Sequence, residues 1–578
     1  MQSSIHHSGR RRAASLRGVL QGNSRYIAAA AAVLATILRF LLTGGLFITF
    51  MPDSNYDDMM QIQKALSLSA GEWLGEYGSM TLVKGPGYPL LTALFHTLGI
   101  PYLAGWTALY TIACAAFLYA VSPVIRNAWM RLLLYVALLY NPVAFSNQVN
   151  RYYRDAGYYA IAFLCIALFL GMLLHSGRRR AVLAGLGGFA LGWAAMVRED
   201  SQWLFIYAAG CLAAVFCFCI FSLNRRFGSA VLACALIAAG YGAATVPVRM
   251  INYTEYGTFA LDEYNSGSFA QSYGALSRLD GGLRDSSVTI PYAERMKLYE
   301  ASPAFAELYP MLDAPDARYK VWKELQGEYR TGYFGFILRD AAQTIGKFES
   351  AETADAYFSQ LAREVNDYAD TVEGSGPRRS GIAARFYPED LPAIFRSTVE
   401  ACGAAIRFQN VSAIPLPVDG DDDFLSVYEE YTGSVCAANR YMEDTGEIVE
   451  NYHLSGWRLW MQRGARVCIL ACQILTPVLF AAAFVLWLRD SVLTVLGRRS
   501  RDAVLNWVAV SSLLCAFVLR EAMLGFVHCT TFPTLDNPAY QAASYALILA
   551  FAGLQLMISA PALADGVMRR LHRRRADA

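Results

Sequence analysis

Long apolar runs separated by short polar connections dominate the chain. Ten of them read as helices crossing a hydrocarbon core of about 30 Å, which takes roughly 20 residues each. They run from Arg25 to Phe50, Tyr102 to Val124, Leu132 to Ser146, Tyr158 to His175, Ala181 to Val197, Trp203 to Leu223, Ser229 to Met250, Val467 to Leu488, Val504 to Val527 and Tyr540 to Leu563. Ten crossings put both termini on one side. The shorter stretch Pro86 to Ile100 reads as a surface-lying or re-entrant helix, because one further full crossing would break that parity.

Two other patterns interrupt the runs. From Asp57 onward, Met59, Ile62, Leu66, Ala70 and Trp73 recur at helical spacing while Gln61, Lys64 and Ser67 fall on other faces. This predicts an amphipathic helix lying at the membrane surface. Between Ile251 and Gly464 the periodicity is helical again, as in "DARYKVWKELQGEYR" and "ADAYFSQLAREVNDYAD", within a much more polar segment.

Composition sharpens that division. The 578 residues are 55% hydrophobic and 17% charged, with a mean hydropathy of +0.30, which excludes a water-soluble globular chain. The net charge of +2 conceals a partition: 33 acidic and 19 basic residues lie between Ile251 and Gly464, against 14 acidic and 30 basic elsewhere. The expected organisation is a basic tail over 1–24, seven crossings in 25–250, an acidic and mainly helical soluble domain over 251–464, three crossings in 465–563 and a basic tail over 564–578.

Arginine-rich connections at Arg126 to Arg131, Arg178 to Arg180, Arg225 and Arg226, and Arg498 to Arg501 mark a cytoplasmic side. The acidic domain and the loops 51–101, 147–157 and 198–202 are then expected on the extracytoplasmic face of the cytoplasmic (inner) membrane. The first 24 residues lack a short apolar core with a cleavage site and read as a tail before an uncleaved helix. Nine of the twelve cysteines fall in predicted spans; Cys402 and Cys436, on the outer side, permit a disulfide without requiring one.

Charge gathers in those outer loops. "MPDSNYDDMM" carries Asp53, Asp57 and Asp58, and "LVKGPGYPLL" places Lys84 beside two prolines. An aspartate here has an ordinary explanation as a helix cap or a first-turn charge on the helix dipole, and a lysine at this depth snorkels. The next loop, "NQVNRYYRDAGYY", adds Arg151, Arg154 and Asp155, and "MVREDSQW" adds Arg198, Glu199 and Asp200. Three loops each offering acid together with base at one membrane edge point to a shared polar site.

These residues resemble the polytopic lipid-dependent glycosyltransferases of the GT-C fold, particularly protein O-mannosyltransferases and bacterial aminoarabinose transferases. In that family the first outer loop runs Asp-Glu or Asp-Asp, then an amphipathic helix, then a Lys or His beside prolines. "DDMMQIQKALSLSAGEWLGEY" followed by "KGPGYPLLTAL" is similar to it, "RDAGYYAIAFLCIAL" resembles the second acidic motif, and Arg198 stands where a cation follows the fifth span. The likeness covers about Met51 to Trp203. The chain departs from it with Gly-Pro-Gly in place of Pro-Pro, with Arg198 where Lys is common, and with "HCTTFPTLDNPAYQ" lacking an Arg-Tyr pair.

The resemblance implies transfer of a sugar from a polyprenyl-phosphate donor to an acceptor hydroxyl, with inversion. It implies Asp57 as general base with Asp53 as competitor, and Lys84 and Arg198 as cations for the leaving phosphate with Arg154 in reserve. Asp58 and Asp155 are then orienting carboxylates, and Arg151 and Glu199 complete the expected binding set. No cofactor or metal is required. The expected partners are membrane lipid, the lipid-linked sugar and a glycan, lipid or protein acceptor, and no nucleic acid.

Other motifs read as structural. "GLGGFALGW" lacks GxGxxG spacing, and its Gly188 and Gly192 form a GxxxG suited to close helix packing. "VDGDDDF" lacks the spaced ligands of a calcium loop and reads as a solvated charge run. Arg520 and Glu521, inside the ninth run, read as a mutually neutralising buried pair or a substrate contact. Rival classes are a transporter or lipid flippase, an O-antigen ligase-like enzyme and a non-catalytic assembly protein. No inverted repeat of broken helices supports the first.

Overall fold

The computed structural model describes residues 24–51, 54, 56–220, 227–279, 287–323, 327–383, 387–416, 418–419, 422–441, 448–450 and 456–576. Its first half is built from α1 (Ser24–Thr43), α2 (Asp58–Ser69), α3 (Gly87–Thr97), α4 (Tyr102–Ala120), α5 (Ala128–Leu139), α6 (Asp155–Leu174), α7 (Arg178–Val197), α8 (Gln202–Ile220) and α9 (Phe227–Tyr256). The second half includes α10 (Gly267–Leu276), α11 (Thr331–Thr344), α12 (Ala351–Ala369), α13 (Leu391–Ile406), α14 (Gly456–Val495), α15 (Arg501–Thr530) and α16 (Ala542–Ala576). Among the described residues nine helices are long and apolar enough to cross a membrane: α1, α4, α6, α7, α8, α9, α14, α15 and the first part of α16. The protein is an α-helical polytopic membrane protein. A small sheet accompanies the helices, β1 (Val418–Asp419) parallel to β2 (Ala438–Tyr441) and β2 antiparallel to β3 (Ile448–Glu450).

The third expected crossing, Leu132 to Ser146, is divided. Helix α5 has 12 residues, and the Asn141 side chain caps a separate 3-10 turn, Pro142–Phe145, by accepting from Val143 N–H. Pro142 has no N–H with which to continue the helix, so the run that reads as one span is two shorter pieces. The stretch Pro86 to Ile100 yields α3, whose 11 residues are too short to cross and pack against α2 and α7.

Helix α6 is the central post. After Asp155 its sequence is apolar on every face, and each of its residues except Leu164 is buried. A helix hydrophobic all round belongs inside, and α6 touches α4, α7, α8, α15 and α16. Its single charge therefore stands at the mouth of the bundle. Beside it α7 and α9 approach closely: a Cβ at Gly188 would overlap the Ile237 carbonyl, and one at Gly192 would lie 2.8 Å from the Ala244 Cβ.

A second core gathers Phe269 of α10, Phe334 and Leu338 of α11, and Phe358 and Leu361 of α12. Val83 belongs to this core, so the polar segment grips the first loop immediately before Lys84. One element of that segment lies elsewhere. Helix α13 packs along α15, where Gly525 admits Thr398, and Phe408 just beyond it stacks on Tyr545 of α16 at 4.6 Å. Cys402 on α13 and Cys436 are free thiols rather than a disulfide. Of the "VDGDDDF" stretch, Val418 and Asp419 form β1 and a helix, Asp422–Thr432, begins within it, while Gly420 and Asp421 lie outside the described residues.

Candidate active site

The amphipathic reading of α2 is corrected in two respects. The helix ends at Ser69, and Gly71 with φ +85° turns the chain, which leaves Trp73 outside it. Gln61 and Lys64 are buried, whereas Leu66 is 40% exposed. The polar residues turn inward because α2 opens onto a cluster of charges.

That cluster starts with two loops lying side by side. Thr49 bridges to Arg151, and Tyr152 N–H donates to the Thr49 carbonyl at 2.7 Å. Arg151 is thereby held over the start of α2, where its Nε donates to the two Asp58 oxygens at 2.9 and 2.8 Å. Met51 N–H adds a 2.7 Å hydrogen bond to the same carboxylate. Asp58 is wholly buried; burial pushes its carboxyl up to about 6 against the pull of Arg151.

Asp57 faces the other way. It pairs with the Lys84 ammonium, accepts from the Tyr153 hydroxyl at 2.8 Å and has Arg151 at 3.8 Å. Its side chain is 36% exposed, which makes it the accessible carboxylate of the two. Burial alone would raise Asp57, but Lys84, Arg151 and Tyr153 outweigh it and hold the carboxyl well below the usual range. Lys84 itself is buried and donates further to the Tyr56 carbonyl at 2.5 Å and the Tyr153 hydroxyl at 3.1 Å. Burial lowers Lys84 to about 8, with Asp57 opposing the shift.

A second row continues from the top of α6 and the α7–α8 loop. Arg154 donates to both Glu199 oxygens at 2.7 and 2.6 Å and to the Tyr153 hydroxyl at 3.0 Å. Arg198 pairs with Asp155 and reaches Asp200 at 2.8 Å. Arg520 of α15 closes the row, donating to Asp200 at 2.8 Å and to the Tyr540 carbonyl at 2.9 Å. The partner of Arg520 is thus Asp200 rather than Glu521, which corrects the reading of a mutually neutralising pair.

Helix α11 roofs this cluster. Phe336 stacks on Tyr56 at 5.4 Å and lies 5.4 Å from the Lys84 ammonium, while Arg339 donates to the Ser79 carbonyl at 2.7 Å. Glu199 also lines a cavity of about 530 Å³, together with Phe205 and Tyr241 of the spans, Arg249, and Asp262. Among the described residues no group of three or more His, Cys, Asp or Glu side chains is placed to hold a metal ion.

Of the candidates, Asp57, Asp58, Lys84 and Arg151 meet in one cluster, and Arg154, Glu199, Asp155 and Arg198 in the adjoining row. Asp53 lies outside the described residues. Sequence reasoning missed Tyr153, Lys64 and the roof. Tyr153 stands in "RYYRD" between Arg151 and Arg154, and that position is the available signal.

No family model matches the chain, and no curated protein matches it. Among solved structures the chain is similar to the crystal structure of ArnT from Cupriavidus metallidurans in the apo state, with 13% identity over 92% of this chain and 77% of that one and a TM-score of 0.29. It is also similar to the crystal structure of ArnT from the same organism bound to undecaprenyl phosphate, with 14% identity over 87% of this chain and 77% of that one and a TM-score of 0.28.

Proposed function

We propose that the chain is a GT-C-like glycosyltransferase of the inner membrane, moving a sugar from a polyprenyl-phosphate donor to an acceptor hydroxyl at the extracytoplasmic face. The observation that carries this reading is one partly exposed carboxylate, Asp57, set between Lys84 and Arg151 at the mouth of a spanning bundle. Transfer from a lipid phosphate needs a proton acceptor and fixed positive charge at that depth, side by side.

Asp57 takes the acceptor proton. Its weak basicity suits a displacement in which the hydroxyl acidifies as its oxygen bonds the anomeric carbon. Lys84, with Arg151, Arg154 and Arg198 around it, meets the charge developing on the leaving phosphate. Asp58, Glu199 and Asp155 each hold one of those arginines in place. A single displacement inverts the anomeric centre, and the cavity beside Glu199 gives substrate access.

The test is transfer from a polyprenyl-phosphate sugar by the protein reconstituted in vesicles, scored alongside substrate flux. Asp57→Asn is expected to lower transfer by roughly 100-fold or more. The proposal fails if Asp57→Asn and Asp58→Asn, each folded, both retain near-normal transfer, or if the vesicles show flux without transfer.

A further inference from the structure

We infer that Lys64, with Gln61 beside it, is a positioning residue that matches the second negative charge appearing on the lipid phosphate as the sugar leaves. The inference rests on the glycosyltransferase reading and adds to it a residue and a preference for product over donor.

Every other cation of the cluster and its roof has a carboxylate: Lys84 has Asp57, Arg151 has Asp58, Arg154 has Glu199, Arg198 has Asp155, Arg520 has Asp200 and Arg339 has Glu263. Lys64 is the seventh cation against those six acids. It is 3% exposed, and its one hydrogen bond among the described residues goes to the Lys84 carbonyl at 3.3 Å. One turn earlier on α2, Gln61 is wholly buried with neither amide atom bonded. A buried ammonium without a counter-ion and a buried amide without a partner are each costly, and packing alone would favour apolar residues at both positions.

The charges that act most strongly on Lys64 are Lys84 before α3, Arg154 at the top of α6, Glu199 after α7 and Arg339 on α11. Burial first, then the fields of Lys84 and Arg154, lower its ammonium to about 7. Near neutral pH it therefore gains a proton when a further negative charge arrives beside it.

The reaction supplies that charge. As the acceptor oxygen bonds the anomeric carbon, the bond from that carbon to the phosphate oxygen breaks and its electron pair stays on the oxygen. The hydroxyl proton goes to Asp57. The donor is a phosphodiester with one negative charge, whereas the product monoester carries nearly two above pH 7. Asp57, held well below the usual carboxylate range, returns that proton to solvent, and in the product complex Lys84 and Arg151 are again matched by Asp57 and Asp58. Lys64, protonated from solvent, is the uncommitted cation that balances the second charge.

The test uses the full chain and two probes, farnesyl phosphate and its methyl diester, titrated calorimetrically at pH 7.5 in two buffers of different ionisation heat. The wild type should bind the monoester about tenfold or more tighter than the diester and take up protons as it does so. Lys64→Met should abolish that preference and reduce the uptake while leaving the diester affinity within about threefold. Should Lys64→Met not fold, Lys64→Arg serves, keeping the preference but flattening the loss of monoester affinity between pH 7 and 9. A folded Lys64→Met that keeps both preference and uptake overturns the inference, as does an unchanged pH dependence in Lys64→Arg. Wild type binding both probes equally also overturns it and leaves the glycosyltransferase reading standing; wild type binding neither removes that reading too.

Discussion

Lys84 and Tyr153 both donate to the same oxygen of Asp57, and the Lys84 ammonium also reaches the Tyr153 hydroxyl at 3.1 Å. Arg154 donates to that hydroxyl as well, at 3.0 Å, so one phenol accepts from two cations while donating to the carboxylate. The two ion rows are joined at this point.

Tyr153→Phe keeps the ring and removes the junction. Because a hydrogen bond to a charged group contributes about 1.5–3 kcal/mol to stability, Tyr153→Phe should lower thermal stability measurably without unfolding the protein and, by loosening Asp57, lower kcat roughly tenfold or more. Steady-state transfer assays beside thermal unfolding check it. Loss of folding in place of loss of rate would reduce Tyr153 to a packing residue.

The pH profile should be bell-shaped. Asp58 has its carboxyl raised to about 6, so as pH falls through that value it gains a proton and releases Arg151. Lys84 is lowered to about 8, so as pH rises through that value it loses the charge that meets the phosphate. Lys84→Arg should move the alkaline limb upward at some cost in maximal rate, and Asp58→Asn should flatten the acid limb. Alkaline limbs that coincide in wild type and Lys84→Arg would assign the titration elsewhere.

Most of the spanning architecture was legible because a bilayer demands apolar length, and length survives in a linear reading. The Leu132 to Ser146 run misleads because Pro142 interrupts it without making it less apolar. The candidate site was legible as loops and not as contacts. Polar Gln61 and Lys64 read as solvent-facing on α2, since a helical pattern assigns polar residues outward unless something inside requires charge. Arg520 meets Asp200 across 320 positions of sequence, a distance at which the adjacent Glu521 looks the better partner.

Arg520 gives a stability test of that pairing. Breaking a buried pair costs about 3–5 kcal/mol, less here because the Asp200 side chain is 27% exposed; about 1–3 kcal/mol is expected for Arg520→Met or Asp200→Asn. Glu521 has neither oxygen bonded among the described residues, so Glu521→Gln should be neutral or stabilising. A double-mutant cycle in thermal unfolding separates the partners. Coupling of Arg520 to Glu521 larger than its coupling to Asp200 would reverse the assignment.

The Gly-Pro-Gly after Lys84 has a steric cause that a Pro-Pro sequence would not meet. A Cβ at Gly85 would overlap the Met196 carbonyl, and one at Gly87 would lie 2.9 Å from the Met196 carbonyl carbon. Both glycines let the entry to α3 press against the end of α7, two residues before Arg198, and that contact fixes Lys84 relative to the second ion row. Met196 offers backbone there, so it cannot swing aside as a flexible side chain would. Gly85→Ala should therefore cost about 1–3 kcal/mol of stability and, by displacing Lys84, lower transfer roughly tenfold or more even where the protein remains folded. Pro86→Ala, which adds no atom at the contact, is the control. Equal activity in Gly85→Ala and Pro86→Ala would show that the spacing between Lys84 and Arg198 does not govern the chemistry.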